Sequence, residues 1–169
     1  MGLKIDKAEI TDLPIIREIA EITWPYNYKN MISAEQIDYM LKLMYSDKSL
    51  LEQLQINHIF LIAREADKPV GFASYELNFK GFKQTRLHKI YVLPQYQGKG
   101  VGKKLMQTVI SLAIDSKNHQ ISLTVNKNNT AVSFYKTQGF IIKEEVKMPI
   151  GNGFYMDDYI MQKSFNPVS

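Results

Sequence analysis

The alternation of apolar and polar residues changes its period several times along the chain, and these changes predict the order of the elements. Leu3–Ala8 largely alternates apolar and polar residues and predicts a first strand. An amphipathic helix follows from Thr11–Asp12, and we expect it to end before Pro25, because the residue before a proline is pushed out of the α region. A second helix begins after Ser33, with a glutamine three residues later in the pattern of a capping box.

Beyond residue 57 a period of two dominates, interrupted by one long helix. Strands are predicted over His58–Arg64, Val70–Phe79, Thr85–Val92, Gln120–Val125, Phe140–Lys147 and Phe154–Gln162. Further helices are predicted over Lys48–Gln55, Gly98–Ser116 and Asn129–Thr137. This order favours an α/β fold of the α+β type, with a mixed, mostly antiparallel central sheet of about seven strands and helices on both faces. No repeat or linker interrupts the sequence, so we expect a single domain over residues 1–169.

Composition and charge exclude several classes of function. The net charge is +4, from 21 Lys and Arg against 17 Asp and Glu, which is too mild to indicate nucleic-acid binding. The absence of cysteine excludes disulfides, thiolate metal sites and a cysteine nucleophile. The three histidines are isolated in sequence, so we expect no metal cofactor. No apolar run is long enough to span a bilayer. We therefore expect a cytoplasmic protein that binds neither nucleic acid nor membrane. Whether the protein forms a homodimer is left open.

A glycine-rich turn is the most informative stretch of the chain. Gly98, Gly100 and Gly102 alternate at the entrance of the long helix, after a strand that ends at Val92. Glycines let the backbone turn sharply and let a ligand approach its N–H groups, and a helix N-terminus favours an anion. The spacing fits neither a P-loop nor a dinucleotide-binding fingerprint. The turn therefore predicts a site for an anion of another kind.

Two motifs in this order carry a resemblance to a known family. Gln95–Gly100 reads Gln-Tyr-Gln-Gly-Lys-Gly, and Leu123–Asn126, Asn129 and Ala131–Phe140 follow further along the chain. They resemble the pyrophosphate loop and the second signature of the GCN5-related N-acetyltransferase (GNAT) superfamily, and the resemblance extends over nearly the whole chain. Residues around Tyr39 and Asp157 are more loosely similar to the polyamine (spermidine/spermine) acetyltransferase branch.

The resemblance implies a GNAT-like acyl-CoA N-acyltransferase fold and acetyl-CoA as co-substrate. It implies that the pantetheine arm pairs with the backbone of Ile90, Tyr91 and Val92, as an added strand does. The implied phosphate-binding residues are Gln97, Gly98, Lys99, Gly100, Val101, Gly102 and Lys103. Asn126, Asn129 and Tyr135 are implied beside the rest of the cofactor, although Asn129 is equally typical of a helix N-cap.

The reaction implied is direct attack of a primary amine on the thioester. The resemblance assigns Tyr135 as the acid for the departing thiolate, and the backbone N–H of Val92 is the simplest donor for the oxyanion. The base is left open, because the strand leading into the glycine turn contains no carboxylate. His88 on that strand, Glu76 on its neighbour and a chain of water molecules all remain candidates.

Aromatic residues predict the wall of an acceptor site, with Trp24, Tyr28 and Tyr39 as its members. Asp157 is a candidate for attracting a cationic amine, and so is the adjacent Asp158. Neighbouring residues on a strand face opposite sides, so we expect only one of the two to point inward. The acceptor is expected to be a small-molecule amine or a polyamine. A protein N-terminal acetyltransferase and a non-catalytic, regulatory acyl-CoA-binding domain are the alternatives.

Overall fold

Seven strands and five helices follow one another in a computed structural model, which describes residues 2–165. The strands are β1 (Leu3–Lys7), β2 (Ile59–Glu65), β3 (Lys68–Glu76), β4 (Gln84–Val92), β5 (Gln120–Asn126), β6 (Ile141–Gly151) and β7 (Phe154–Ser164). The helices are α1 (Leu13–Tyr28), α2 (Ala34–Tyr45), α3 (Asp47–Gln55), α4 (Val101–Asp115) and α5 (Ala131–Thr137). The ends of the domain expected from the sequence, residues 1 and 166–169, lie outside the described residues.

The chain divides into two compact units, and β4 and α4 pass from one to the other. The first unit contains the residues up to Glu76 and Leu87–Leu112, and the second contains Leu77–Arg86 and the residues from Ala113 onwards. The strand order is β1-β2-β3-β4 in the first unit and β4-β5-β7-β6 in the second. That the whole chain is one domain stays a prediction.

Strand directions follow from the pairing within each unit. The β1/β2, β2/β3, β5/β7 and β6/β7 pairs are antiparallel. The Nε2 of Gln120 donates to the Oε1 of Gln84 at 3.1 Å, so β4 and β5 meet at their first residues, which indicates a parallel pair. The expected mixed, mostly antiparallel seven-stranded sheet is confirmed. Among residues 2–165, no helix is both long and apolar enough to cross a membrane.

Helix α1 continues through Pro25 to Tyr28, so the predicted end before this proline is wrong. The indole of Trp24 is only 3% exposed, and the ring of Tyr28 packs on it with centroids 4.4 Å apart. This aromatic packing stabilises the last helical turn. It outweighs the backbone hydrogen bond that a proline cannot donate.

Other boundaries also differ from the sequence-based expectation, and for two of them backbone dihedral angles give the reason. Strand β3 ends at Glu76 rather than Phe79, because Asn78 adopts a left-handed conformation with φ 52°. Helix α4 begins at Val101 rather than Gly98, because Gly98 and Gly100 have φ values of 76° and 85°. Strand β6 continues to Gly151 rather than ending at Lys147, and β7 continues to Ser164 rather than ending at Gln162.

A substitution at Gly71 tests how closely β3 and β4 approach each other in the first unit. A Cβ built on Gly71 meets the carbonyl oxygen of Tyr91 at 2.8 Å, and this backbone cannot move aside cheaply. We expect Gly71→Ala to lower the free energy of unfolding by about 1–3 kcal/mol, the usual effect of overpacking. Urea denaturation measures this change. Gly2→Ala is the control, since its Cβ meets no atom within 4 Å; equal stability of the two variants would contradict the expectation.

Candidate active site

The glycine-rich turn forms an exposed cradle at the N-terminus of α4. Gly98 and Gly100 have positive φ angles, and a Cβ at either position meets no atom within 4 Å. The first hydrogen bond into the helix runs from the N–H of Lys104 to the carbonyl of Gly100 at 3.0 Å. The N–H groups at a helix start have no intrahelical acceptor. The cradle thus combines open space, backbone donors and the positive end of a helix dipole, which together suit an anion.

Lysine side chains and a glutamine surround this cradle. Lys99, Lys103 and Lys104 are exposed, and the ammonium of Lys99 lies 5.5 Å from the ring centroid of Tyr96. The Nε2 of Gln97 donates to the carbonyl of Val92 at 3.1 Å. The side chain of Gln97 therefore ties the turn back to the end of β4.

The last residues of β4, Ile90 to Val92, are half-buried and lead directly into the turn. The hydroxyl of Tyr91 lies 3.1 Å from the hydroxyl of Tyr28 on α1. Trp24 lies beneath both rings, and its Nε1 donates to the hydroxyl of the fully buried Tyr45 at 3.3 Å. Of the three aromatic residues expected to contact an acceptor, Tyr28 and Tyr39 are half-buried, whereas Trp24 is buried and supports Tyr28.

Two of the candidate base residues meet in the first unit, together with a third side chain. The Nε2 of His88 lies 3.1 Å from the Oε1 of Glu76. The Nε2 of His58 lies 3.5 Å from the same oxygen, and the two imidazole rings stack with centroids 4.0 Å apart and planes 10° apart. Burial, and then the proximity of His88 and Lys89, lowers the pKa of His58 to about 4, so this imidazole is neutral at pH 7. We call these three residues the His–Glu–His cluster.

The donor atoms of the His–Glu–His cluster lie within 4.8 Å of one another, as metal ligands do. A coordinating nitrogen, however, directs its lone pair in the plane of its ring. Because the two planes are nearly parallel and stacked, the two lone pairs do not converge on one point between the rings. The arrangement fits one imidazole hydrogen-bonded to the carboxylate oxygen, with a second imidazole stacked on it, better than a tetrahedral metal site.

Lys89 is a buried ammonium beside this cluster. Its Nζ donates to the Oε1 of Gln53 at 2.6 Å and lies 5.6 Å from the ring centroids of both Tyr45 and Phe60. Burial lowers the pKa of Lys89 to about 8. The cation is thus held by an amide oxygen and two aromatic faces.

His58 and Lys89 were not among the residues expected from the sequence, and the register of the β2/β3 hairpin explains why His58 is difficult to find. A turn at residues 66–67 pairs Glu65 with Lys68, and continuing that register places His58 opposite Tyr75. A bulge after Ala63 shifts the pairing by one residue, so that Ile59 faces Tyr75 and His58 reaches Glu76. The hairpin can be predicted from the sequence, but the bulge cannot.

In the second unit, Tyr135 lies on α5 and is 7% exposed. Its ring contacts those of Phe134 and Phe140, with centroid distances of 5.5 and 5.8 Å. Gly139 follows this helix with φ 95°, the left-handed conformation that glycine commonly adopts after a helix C-terminus. The phenol is therefore held rigidly by its neighbours.

Asn126 and Asn129 shape the turn between β5 and α5. The Oδ1 of Asn126 accepts from the N–H of Asn128 at 2.9 Å, and the Oδ1 of Asn129 accepts from the N–H of Ala131 at 2.8 Å. Asn129 thus makes a local hydrogen bond at the start of α5, but the N-cap residue of this helix is Thr130. Contact of either asparagine with a cofactor stays a prediction.

The two adjacent carboxylates of β7 have different surroundings. Asp157 is exposed and lies 3.2 Å from the ammonium of Lys127, which also contacts Glu145. Asp158 is 5% exposed, and its Oδ1 has no hydrogen-bond partner among residues 2–165. Burial, and then the neighbouring Asp157, raises the pKa of Asp158 to about 6. Asp158 is therefore the inward-pointing member of the pair.

Comparison with known proteins gives a consistent result. A family model described as an acetyltransferase (GNAT) domain matches residues 28–155. The spermidine N(1)-acetyltransferase of Thermoplasma acidophilum is 25% identical over 98% of this chain and 99% of its own. An L-amino acid N-acyltransferase of Escherichia coli is 31% identical over 60% of this chain and 62% of its own. A crystal structure of the PaiA N-acetyltransferase from Thermoplasma acidophilum in complex with coenzyme A has a TM-score of 0.84, at 26% identity, and covers 98% of this chain and 100% of that chain.

The buried carboxyl of Asp158 predicts a pH-dependent difference in stability. Its pKa is about 6 in the folded protein and 3.8 in the unfolded chain, so folding favours the protonated form. As the pH rises from 4 to above 6, the wild type therefore loses stability relative to Asp158→Asn. We expect the variant to be more stable by about 1–3 kcal/mol at pH 8 and nearly equal at pH 4.

Thermal or urea denaturation of both proteins across this range measures the difference. Asp157→Asn is the control, since it removes an exposed carboxylate that contacts Lys127 and no gain in stability is expected from it. A difference between wild type and Asp158→Asn that stays constant with pH would contradict the assignment.

Proposed function

The chain belongs to the acetyltransferase (GNAT) domain family and is an N-acetyltransferase, and we propose that it transfers the acetyl group of acetyl-CoA to a primary amine of a small molecule. The observation that carries this proposal is the exposed glycine cradle that follows β4. The Thermoplasma structure that matches nearly the whole chain contains coenzyme A. This match supports acetyl-CoA as the donor.

The residues around the cradle fit the anionic half of coenzyme A. Backbone N–H groups and flanking lysines would bind the phosphates through Gln97, Gly98, Lys99, Gly100, Val101, Gly102 and Lys103. The open space above Gly98 and Gly100 is the space that a pyrophosphate needs. Ile90, Tyr91 and Val92 would pair with the pantetheine amides as an added strand, and Asn126 and Asn129 would bind the cofactor near the end of β5.

In the proposed reaction, the amine nitrogen attacks the thioester carbonyl carbon, the C–S bond breaks, and a proton leaves the amine. The N–H of Val92 stabilises the negative charge on the carbonyl oxygen. His88 is proposed to accept the amine proton, directly or through water. Glu76 holds the imidazole at 3.1 Å and stabilises its protonated form, as a carboxylate does in a catalytic triad.

Tyr135 is proposed to protonate the coenzyme A thiolate. Its assignment rests on the resemblance of the α5 segment to the family signature. Phenol and thiol pKa values are about 10 and 8.5, so this proton transfer is slightly uphill in water. The tyrosine is therefore effective only when it is held in place. The packing of its ring between Phe134 and Phe140 supports such a role.

The acceptor is proposed to be a cationic amine of the polyamine class. Tyr28 and Tyr39 offer partly exposed aromatic faces, backed in the case of Tyr28 by Trp24, and such faces attract ammonium groups. Asp157, or the buried Asp158 beside it, supplies negative charge on β7. The similarity to a spermidine acetyltransferase over almost the full length supports this class.

Release of free thiol from acetyl-CoA over a panel of amines tests the function. We expect spermidine and short diamines to stimulate release more strongly than amino acids, aminoglycosides or peptides with a free N-terminus. Preference for a peptide would favour a protein N-terminal acetyltransferase. Tight binding of acetyl-CoA without thiol release on any amine would overturn the proposed reaction.

Gly100→Ala tests the cradle. A methyl group there occupies the anion's space, and the positive φ of 85° strains any residue but glycine. We expect the affinity for coenzyme A, measured by calorimetry, to fall at least about tenfold, equivalent to the loss of about one charge-assisted hydrogen bond. Gly81→Ala carries the same kind of strain, with φ 79° and no atom within 4 Å, and should bind coenzyme A normally. Equal affinities of the two variants for coenzyme A would contradict the assignment of its phosphates to this cradle.

Tyr135→Phe tests the acid on the best acceptor of the panel. The ring and its packing remain, so the melting temperature should change little. A positioned general acid contributes roughly 10²–10⁴ in rate, and we expect kcat to fall by about that factor. KM for acetyl-CoA should hardly change, because the hydroxyl acts on the leaving group. Turnover near the wild-type rate would make Tyr135 a packing residue.

A further inference from the structure

The His–Glu–His cluster contains one imidazole more than a simple histidine–carboxylate pair requires. The Nε2 of His88 is hydrogen-bonded to the Oε1 of Glu76 at 3.1 Å, the Nε2 of His58 lies 3.5 Å from the same oxygen, and the two rings are stacked face to face. His58 immediately precedes β2, Glu76 is the last residue of β3, and His88 lies in the middle of β4. The Nε2 of His88 makes the hydrogen bond, and the Nε2 of His58 is a second polar neighbour of the same oxygen. A carboxylate oxygen that also faces a second imidazole nitrogen stabilises a positive charge on the first imidazole less strongly than if it faced that one alone.

The charged groups around His88 show what His58 contributes to its surroundings. Glu76 on β3 is the carboxylate partner, and Lys89 on β4 is the buried ammonium, bound to Gln53 of α3. On the remaining side His58 presents the flat face of its ring. This ring is neutral at pH 7, and its Nδ1 is buried without a hydrogen-bond partner among the described residues. His58 therefore acts on its neighbours as a neutral ring and contributes no charge of its own.

We propose that His58 is a positioning residue for His88: its ring fixes the plane of the His88 imidazole by stacking, and its Nε2–H competes with His88 for the Oε1 of Glu76. This inference rests on the proposed role of His88 as the base. The competition weakens the stabilisation that the Glu76 carboxylate gives to a positive charge on the His88 imidazole. The stacking keeps its Nε2 directed to Glu76.

Two substitutions at position 58 separate stacking from hydrogen bonding. His58→Phe keeps an aromatic ring but removes the N–H, so Glu76 is left to His88 alone. The pKa of His88 should then rise by about one unit, since an undivided opposite charge favours the protonated form. His58→Gln keeps an N–H donor and removes the ring, so it should restore the wild-type titration of His88 more closely than His58→Phe does. His119→Phe, at an exposed histidine, is the matched control and should leave His88 unchanged.

Nitrogen-15 NMR titration of the imidazoles in the full chain is the primary measurement, because it reports on His88 without requiring catalysis. We expect His58 of the wild type to stay neutral down to pH 5, and we expect His88 to titrate at higher pH in His58→Phe. The wild-type spectrum alone can refute the proposal if a variant does not fold. A wild-type His58 that titrates near pH 6.5, or a His88 titration that is unchanged in folded His58→Phe, would overturn it.

The pH profile of kcat/KM gives the catalytic counterpart. A more basic His88 is protonated over a wider range, so the acid limb of the profile should move to higher pH by the same amount. At pH 6 the activity of His58→Phe should be about five- to tenfold below that of the wild type, with convergence at pH 9. If the NMR titration of His88 shifts in His58→Phe but the pH profile of kcat/KM does not, the interaction between His58 and His88 is supported and His88 is not the base. A profile lowered equally at every pH would show a merely structural role.

Discussion

The close approach of β3 and β4 at Gly71 is the constraint on which the rest of the first unit depends. The backbone of β4 at Tyr91 comes so near to Gly71 that no side chain fits between them, and the N–H of Leu93 donates to the carbonyl of Val70 just beyond. This contact fixes where β4 ends and therefore where the glycine cradle begins. On the same two strands, the Nε2 of His88 lies 3.1 Å from the Oε1 of Glu76.

Charge inside the two units is controlled mainly by burial. Lys89 loses basicity because it is buried with an amide and two aromatic rings, and His58 stays neutral for a related reason. Asp158 gains a proton more easily because one of its oxygens is buried without a partner. In each case the low-dielectric surroundings disfavour the charged form. Glu76 is the one carboxylate among the His–Glu–His cluster and Lys89, and the chemistry proposed for His88 relies on that charge.

Sequence patterns predicted the elements and the glycine cradle well, because both depend on local chemistry. Period-two strands, the Ser33 N-cap and the left-handed Gly139 are each determined by a few neighbouring residues. The continuation of α1 through Pro25 was not predictable, because it depends on Trp24 and Tyr28 packing against residues far along the chain. The contact of His58 with Glu76 depends on a bulge of one residue, and no local signal marks it.

The proline at position 25 affects the stability of the last turn of α1. A proline cannot donate to the carbonyl four residues before it, so the final turn of α1 is joined to the preceding turn by one backbone hydrogen bond fewer than usual. The free energy that keeps this turn closed therefore comes largely from the contacts of Tyr28 with Trp24 and Tyr91. A molecule bound against these rings would also hold the turn shut. The affinity of such a molecule and the protection of this turn from local unfolding would then rise together, because both depend on the free energy of the same contacts.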